Sequence, residues 1–222
     1  MNEAMTEGRS RQQPAVGIDI PPGYYEIPMN CVEDLTDTYL PMVIEAIPPE
    51  LRAGAPTVVE TMRFLLGTLA ANNALYCGIG VHRSALSEES IVSWLTVSSF
   101  AYGPTRNPRL ALSDLIAAKA ARGETGHLEI IELGQRPTLY FEYTVNYGRP
   151  DFVGYPGGSE QVAVFRIQAT IPSPDGRSIA VIDFATADVP NGPQYRVMVL
   201  GMAASVKFPV PPVEFGSLSL AI

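Results

Sequence analysis

The sequence predicts an α+β fold, in which a curved antiparallel sheet of six or seven strands has three to four helices packed on its faces. Residues 160–186 form two runs of alternating apolar and polar side chains joined by Pro174, Asp175 and Gly176, the pattern of an antiparallel hairpin. The other strand-like runs are mostly neighbours along the chain, which favours antiparallel over parallel pairing. A sheet with one apolar face then needs helices to cover it.

Further strands are predicted wherever apolar side chains alternate or cluster between turn residues. Residues 16–20 and 24–29 flank a Pro-Pro-Gly turn and form short strands or an extended edge. The remaining strands are predicted at residues 75–81, 90–102, 128–133 and 138–147. The last two form a second hairpin, around residues 134–137.

Helices are predicted where apolar side chains recur every three to four residues. The first begins at Pro56 and ends near Asn72. The second spans residues 107–123 and combines an asparagine cap, a proline at the first helical position and a terminating glycine. Another begins at residues 192–193, and residues 36–47 also carry a helical pattern, although Pro41 keeps any start near Tyr39 or Leu40.

The 222 residues predict one α+β domain over residues 16–207, between two arms. Residues 1–15 are polar and form a disordered N-terminal arm. Residues 208–222 form an apolar, proline-rich C-terminal arm. A domain of this size buries a sizeable core without disulfides or metals.

Charge and hydropathy exclude several classes of partner. The formal net charge is −8 and the 15 basic residues are scattered, which argues against nucleic acid. No apolar run approaches the length of about 18 residues needed for membrane insertion, and the N-terminus lacks the apolar core of a signal peptide. We therefore expect a cytoplasmic protein, with Cys77 as a buried free thiol.

No motif for catalysis, metal or cofactor binding stands out. His82 and His127 are the two histidines, and both are expected at the surface or at strand ends. No Gly-x-Ser-x-Gly nucleophile motif is present, and the cysteines and histidines lack the close pairing of zinc ligands. The glycines of residues 154–158 lie between two strands, not before a helix that could bind phosphate. We assign no catalytic, metal-binding or cofactor-binding residue.

The order of elements over residues 16–207 resembles that of small actinobacterial α/β proteins related in fold to PsbP, Mog1 and the LpqN lipoproteins. Four features carry the resemblance besides the closing helix: the Pro-Pro-Gly-Tyr strand at residues 21–24, the helix leading into residues 74–80, the strand at residues 94–98 and the hairpin at residues 174–177. The resemblance implies a binding or accessory module without enzymatic activity. Unlike the lipoproteins, this sequence shows no export signal or lipid-anchor cysteine, which argues against a cell-envelope role.

Two segments carry aromatic and apolar side chains typical of protein interfaces. The loop of residues 147–159 sets three aromatic residues among glycines and prolines, and it either folds back on its own sheet or contacts a partner. The apolar tail of residues 208–222 packs either on its own domain or on another chain. The candidate interaction residues are Tyr147, Phe152, Tyr155, Phe208 and Phe215.

The sequence thus favours a non-enzymatic module that binds a protein partner or a second copy of itself. The alternative is a small-molecule binder, or an enzyme without a recognisable motif, whose pocket lies between sheet and helices. Glu142 and Asp183 are of interest in this alternative, because a carboxylate within an alternating strand faces either solvent or a cleft. The candidate pocket residues are Trp94, Tyr140, Glu142, Tyr143 and Asp183.

Overall fold

The structure, a computed structural model, describes residues 16–29, 55–84, 90–148 and 161–209. In this part of the chain seven strands form one antiparallel sheet in the order β1-β2-β3-β7-β6-β5-β4. The strands are β1 (Tyr24–Glu26), β2 (Ala74–Arg83), β3 (Ser90–Ala101), β4 (His127–Leu133), β5 (Arg136–Gly148), β6 (Gln161–Pro172) and β7 (Ser178–Thr186). The predicted α+β class and antiparallel sheet are confirmed. The predicted arm of residues 1–15 lies outside the described residues.

The hairpins agree with the predicted alternation, but one turn is shorter than expected. β4 and β5 are joined by Gly134 and Gln135 alone, with φ values of 55° and 70°. Two consecutive residues with positive φ form the tight turn that matches the twist of antiparallel strands, so β5 already begins at Arg136. Within residues 16–29 the structure has one strand, β1, and Gly17 makes a single bridge with Lys207.

Within the described residues three helices accompany the sheet: α1 (Ala55–Ala71), α2 (Pro108–Ala121) and α3 (Arg196–Ser205), the last preceded by a 3₁₀ turn at Gly192–Tyr195. The side chain of Asn107 accepts a hydrogen bond from the Arg109 N–H at 2.9 Å and caps α2 as predicted. The predicted helix within residues 36–47 lies outside the described residues. None of the helices described is long and apolar enough to cross a membrane.

The helices divide between the two faces of the sheet. On the α3 face, α3 packs against β6, β7 and β4. The larger core lies there, and its fully buried members include Leu95, Ile167, Ile182, Phe184 and Val199. Arg136 donates hydrogen bonds to the carbonyl oxygens of Ala204 and Val206 and so binds the C-terminal end of α3.

The opposite face, here called the groove face, is covered by α1 at one side and α2 at the other. α1 packs on β2, where Leu66 and Cys77 are fully buried. α2 packs on β5 and β6, and Leu112 and Phe141 are buried. Since the two helices cover opposite sides of this face, the central strands lie open between them.

Candidate functional site

A groove of about 810 Å³ lies between α1 and α2 over strands β3, β7, β6 and β5. Its floor consists of the side chains that alternate with the apolar core residues of these strands, and most of these side chains are polar. Its walls include apolar side chains of both helices, Leu69 and Leu115. The polar floor includes Thr96, Ser98, Tyr143, Arg166, Gln168 and Asp183.

The central feature of the floor is an ion pair between Arg166 and Asp183. Arg166 donates from Nε to Oδ1 at 3.2 Å and from Nη2 to Oδ2 at 2.5 Å. The two side chains are 27% and 15% exposed. Burial raises the pKa of the Asp183 carboxyl above its ordinary value, and the nearby Arg166, Lys119 and Gln168 side chains oppose that rise.

A second ion pair lies at the C-terminal end of α2. Gly123 adopts a φ of 69°, and the N–H groups of Gly123 and Glu124 bond back to the carbonyl oxygens of Ala120 and Lys119. This termination returns the chain toward the helix, so that Lys119 Nζ lies 2.8 Å from Glu124 Oε2. Burial raises the pKa of Glu124, but hydrogen bonds from Lys119 and Arg122 outweigh this and hold the pKa below its ordinary value.

Aromatic rings connect the two ion pairs. Phe141 and Tyr143 stack with ring centroids 4.5 Å apart. Lys119 Nζ lies 4.3 Å from the Phe141 centroid, and the Arg166 guanidinium carbon lies 5.6 Å from the Tyr143 centroid. Burial raises the pKa of Tyr143 to about 12, so its hydroxyl is neutral at pH 7.

A similar ion pair on the α3 face has a different environment. Arg196 of α3 donates to both carboxylate oxygens of Glu142 at 2.6 Å, and the Tyr140 hydroxyl donates to the same carboxylate at 2.6 Å. These hydrogen bonds, that of Arg196 above all, lower the pKa of Glu142. The group lines a smaller cavity of about 430 Å³ and joins α3 to β5.

The five predicted pocket residues do not line one cavity. Tyr143 and Asp183 line the groove. Trp94 shares the groove face but packs against the buried cluster of Leu66 and Cys77. Tyr140 and Glu142 lie on the α3 face.

The predicted interaction residues are also dispersed. Tyr147, near the end of β5, is 46% exposed, and its hydroxyl accepts a hydrogen bond from Arg166 Nη1 at 2.9 Å. Phe208 is half-buried against the larger core of its own chain. Phe152, Tyr155 and Phe215 lie outside the described residues.

Sequence reasoning missed Arg166 and Lys119 as site residues. The alternation of residues 160–186 does group Arg166 with Gln168, but it does not show that helices flank this polar face instead of bulk water. The signal for Lys119 is its position in the apolar stripe of α2, where the residue is 8% exposed. A lysine in such a stripe indicates a buried partner.

Cys77 and the histidines complete the set of residues considered from the sequence. Cys77 is the buried free thiol that was predicted, and burial raises its pKa to about 12. His127 is exposed, with Nε2 3.4 Å from Glu129 Oε1. His82 lies next to the end of β2, in keeping with the expected surface or strand-end position, and its half-buried ring lies between Tyr24 and Tyr195 at centroid distances of 4.9 and 5.7 Å.

No protein-family model matches this sequence, and no curated protein is significantly similar to it. The geometry of the groove is therefore the basis for inferring a function.

Proposed function

We propose that the protein binds a small organic molecule in the groove and acts as a binding module without enzymatic activity. One observation carries this proposal: the Arg166–Asp183 ion pair lies at the centre of a sheet face flanked by two helices, with only 27% and 15% of the side chains exposed. Removing charges from water is costly, and apolar residues at such positions are often equally stable or more so. Function is a reason to keep charges there.

The dimensions of the groove support this proposal. Its volume of about 810 Å³ falls within the range of roughly 300–1,000 Å³ typical of ligand pockets. Apolar side chains of the walls offer contact area, and polar groups of the floor orient a ligand by hydrogen bonds. Among the described residues, Arg166 and Lys119 each form an ion pair with a carboxylate. A charged, ion-paired side chain is suited to binding a ligand and not to attacking it as a nucleophile.

The test compares two double variants of the full chain. R166M/D183L removes the ion pair of the groove, and R196M/E142L removes the matching pair on the α3 face. Native mass spectrometry identifies small molecules that co-purify, and a thermal-shift screen of polar organic compounds identifies others. We expect stabilisation by the ligand to be lost in the first variant and kept in the second. Equal stabilisation of both variants, or the absence of any bound or stabilising compound, would contradict the proposal.

A second candidate function is self-association through the groove face beyond the groove. Two cross-strand pairs there are exposed, Val81–Val92 at 50% and 61% and Tyr147–Val162 at 46% and 38%. The two pairs lie on either side of β7. Exposed apolar side chains on one face are a feature of protein interfaces, and Tyr147 is one of the residues predicted from the sequence. A second copy of the chain is the occupant we propose for this surface.

Light scattering tests self-association by comparing the masses of two proteins in solution. The full chain is compared with a chain carrying Y147S and V162T, which keeps the sheet positions but removes the exposed apolar pair. Self-association is supported if the full chain has a mass above that of the monomer and the variant has a lower mass. A monomer in both cases contradicts it and leaves the groove as the functional surface.

Two broader expectations remain proposals. The seven-stranded antiparallel sheet with helices supports the resemblance to the PsbP, Mog1 and LpqN fold group. The free thiol of Cys77 supports a cytoplasmic location, because cytoplasmic proteins keep their thiols reduced.

A further inference from the structure

The groove has an excess of positive charge, although the chain has a formal net charge of −8. Among the described residues that line it, Lys119, Arg122 and Arg166 are cationic, and Glu124 and Asp183 are acidic. The excess is one positive charge, since both acids are ion-paired with these cations. A net positive charge in a cleft favours a ligand of negative charge, and a net charge of one favours a singly charged ligand.

In the described part of the chain, the two deeper cations have N–H donors that no side chain accepts. The Lys119 ammonium has three N–H donors. Glu124 accepts a hydrogen bond from one of them, and the ammonium also packs on the Phe141 ring. The Arg166 guanidinium has five, of which Asp183 accepts two and Tyr147 accepts a third. Both residues can therefore donate to a ligand without giving up their ion pairs.

The ends of the helices indicate which kind of anion fits. Asn72 and Asn73 follow the last residue of α1, Arg122 follows the last residue of α2, and all three line the groove. Both helices thus present their C-terminal ends, where the helix dipole is negative. Phosphate groups are favoured at the opposite, N-terminal end. The dipoles therefore disfavour any anion at these ends, a doubly charged phosphate more than a singly charged carboxylate, so the attraction for a carboxylate has to come from Lys119 and Arg166.

The groove lining also includes apolar and aromatic side chains beside its uncharged polar ones. Leu69 and Leu115 contribute from the helices, and Phe100, Tyr143 and Val181 contribute from the sheet. These surfaces suit a hydrocarbon or aromatic body attached to the acid group. Burial of such a body supplies affinity, while the charged groups fix its orientation.

We infer that the ligand is a small monocarboxylic acid with an apolar body, whose carboxylate is bound by Lys119 and Arg166. This inference rests on the proposed function, because it specifies the ligand of the same groove. It goes further, because it predicts that the groove binds a ligand with one negative charge more tightly than a neutral ligand, a positively charged ligand or a ligand with two negative charges.

The experiment uses probes that share one skeleton and differ in charge. Calorimetric titration of the full chain compares 3-phenylpropanoate with 3-phenylpropanamide, 3-phenylpropylamine and 3-phenylpropyl phosphate, and a second series uses hexanoate and hexanamide. We expect each carboxylate to bind at least about tenfold more tightly than its amide, because hydrogen bonds to charged groups are the stronger ones. The amine and the phosphate should bind more weakly than the carboxylate.

Variants then locate the acid group. K119M should weaken carboxylate binding by about tenfold and leave the weak amide binding unchanged, and K119R should restore part of the difference. R196M, on the α3 face, is the matched control that should bind like the original chain. Circular dichroism and urea unfolding confirm that each variant is folded.

The outcomes separate this inference from the proposed function. If an amide, amine or phosphate binds as well as the carboxylate and R166M/D183L abolishes its binding, the groove is a ligand site but the ligand class is wrong. The same conclusion follows if the co-purified molecule is not a monocarboxylic acid. If no probe binds and no molecule co-purifies, both the ligand class and the proposed function are overturned.

Discussion

Arg166 of β6 binds Asp183 of β7 across a diagonal of the sheet. The direct cross-strand partner of Arg166 is Ala185, and that of Asp183 is Gln168. Because Ala185 has no polar side chain, the guanidinium reaches along the sheet and meets the carboxylate through two hydrogen bonds. Gln168, directly opposite Asp183, also opposes the rise in the pKa of this carboxyl, so three polar side chains form one group beneath the groove.

The Arg166–Asp183 pair provides a test of whether these charges serve stability or binding. Removing one partner leaves a partly buried charge without compensation, so R166M and D183L alone should each lower the free energy of unfolding by about 1–3 kcal/mol. The double variant R166M/D183L should be close to the original chain, because both charges are gone. Urea unfolding at neutral pH measures all four proteins. If the double variant loses as much unfolding free energy as the two single variants together, the ion pair contributes to the stability of the fold.

Two glycine-to-alanine substitutions, one at the end of α2 and one inside α3, should change the free energy of unfolding in opposite directions. Gly123 has a φ of 69°, where an alanine is strained, so G123A should cost about 1 kcal/mol and loosen the Lys119–Glu124 pair. Gly201 lies inside α3, and no atom lies within 4 Å of an added methyl group. G201A should therefore stabilise the protein by about 0.5–1 kcal/mol. Urea unfolding of both variants tests these signs, and a loss of stability in G201A would contradict the second.

His82 should make the protein less stable in mild acid. Burial lowers the pKa of its imidazole, and Nε2 has no hydrogen-bond partner among the described residues. The unfolded chain takes up a proton near the ordinary histidine pKa of about 6.5, whereas the folded chain resists it, so stability falls as the pH drops below that value. H82L should reduce the difference between unfolding free energies at about pH 8 and about pH 5.5. The exposed His127 supplies the control H127Q, which should retain the original difference.

Glu142 should contribute to stability at neutral pH and lose that contribution in acid. Its pKa is lowered by the hydrogen bonds from Arg196 and Tyr140. A carboxyl with a lower pKa in the folded state stabilises that state above the unfolded pKa of about 4.3, and the effect is lost as the pH falls through the folded pKa. E142Q should therefore be less stable at pH 7, and its stability should fall less on acidification. E129Q removes one exposed carboxylate from the neighbouring β4 and controls for the change in net charge. If the unfolding free energies of E142Q and the original chain fall equally with decreasing pH, Glu142 is not the source of this acid sensitivity.

Local patterns were sufficient to predict most of the described elements. The hairpin of residues 160–186 and the helix at Pro108–Ala121 form as expected, because alternation, turn residues and helix caps act over a few neighbouring residues. The helix predicted to begin at residues 192–193 is also present, as a 3₁₀ turn followed by α3, and its buried residues include Val199 and Met202. Of the candidate pocket residues, Tyr143 and Asp183 do line the groove.

The candidate pocket also shows where strand geometry alone could have improved the prediction. Glu142 and Tyr143 are consecutive in β5, so their side chains point to opposite faces and cannot share a pocket. In the structure Glu142 binds Arg196 on the α3 face, and Tyr143 lies beside Arg166 on the groove face. The alternation of side chains along a strand is therefore enough to exclude such a pair from a common pocket.

The sequence by itself determined the strands, the helices and which side chains share a face, because each depends on contacts between residues close along the chain. The tertiary structure decided what covers each face. Lys119 reaches the groove because α2 packs on β5 and β6, and Asp183 meets Arg166 because β7 pairs with β6 in one register. A polar row in an alternating strand has the same pattern whether it faces water or a groove. Only the packing of α1 and α2 on either side of the central strands made that row the floor of a site.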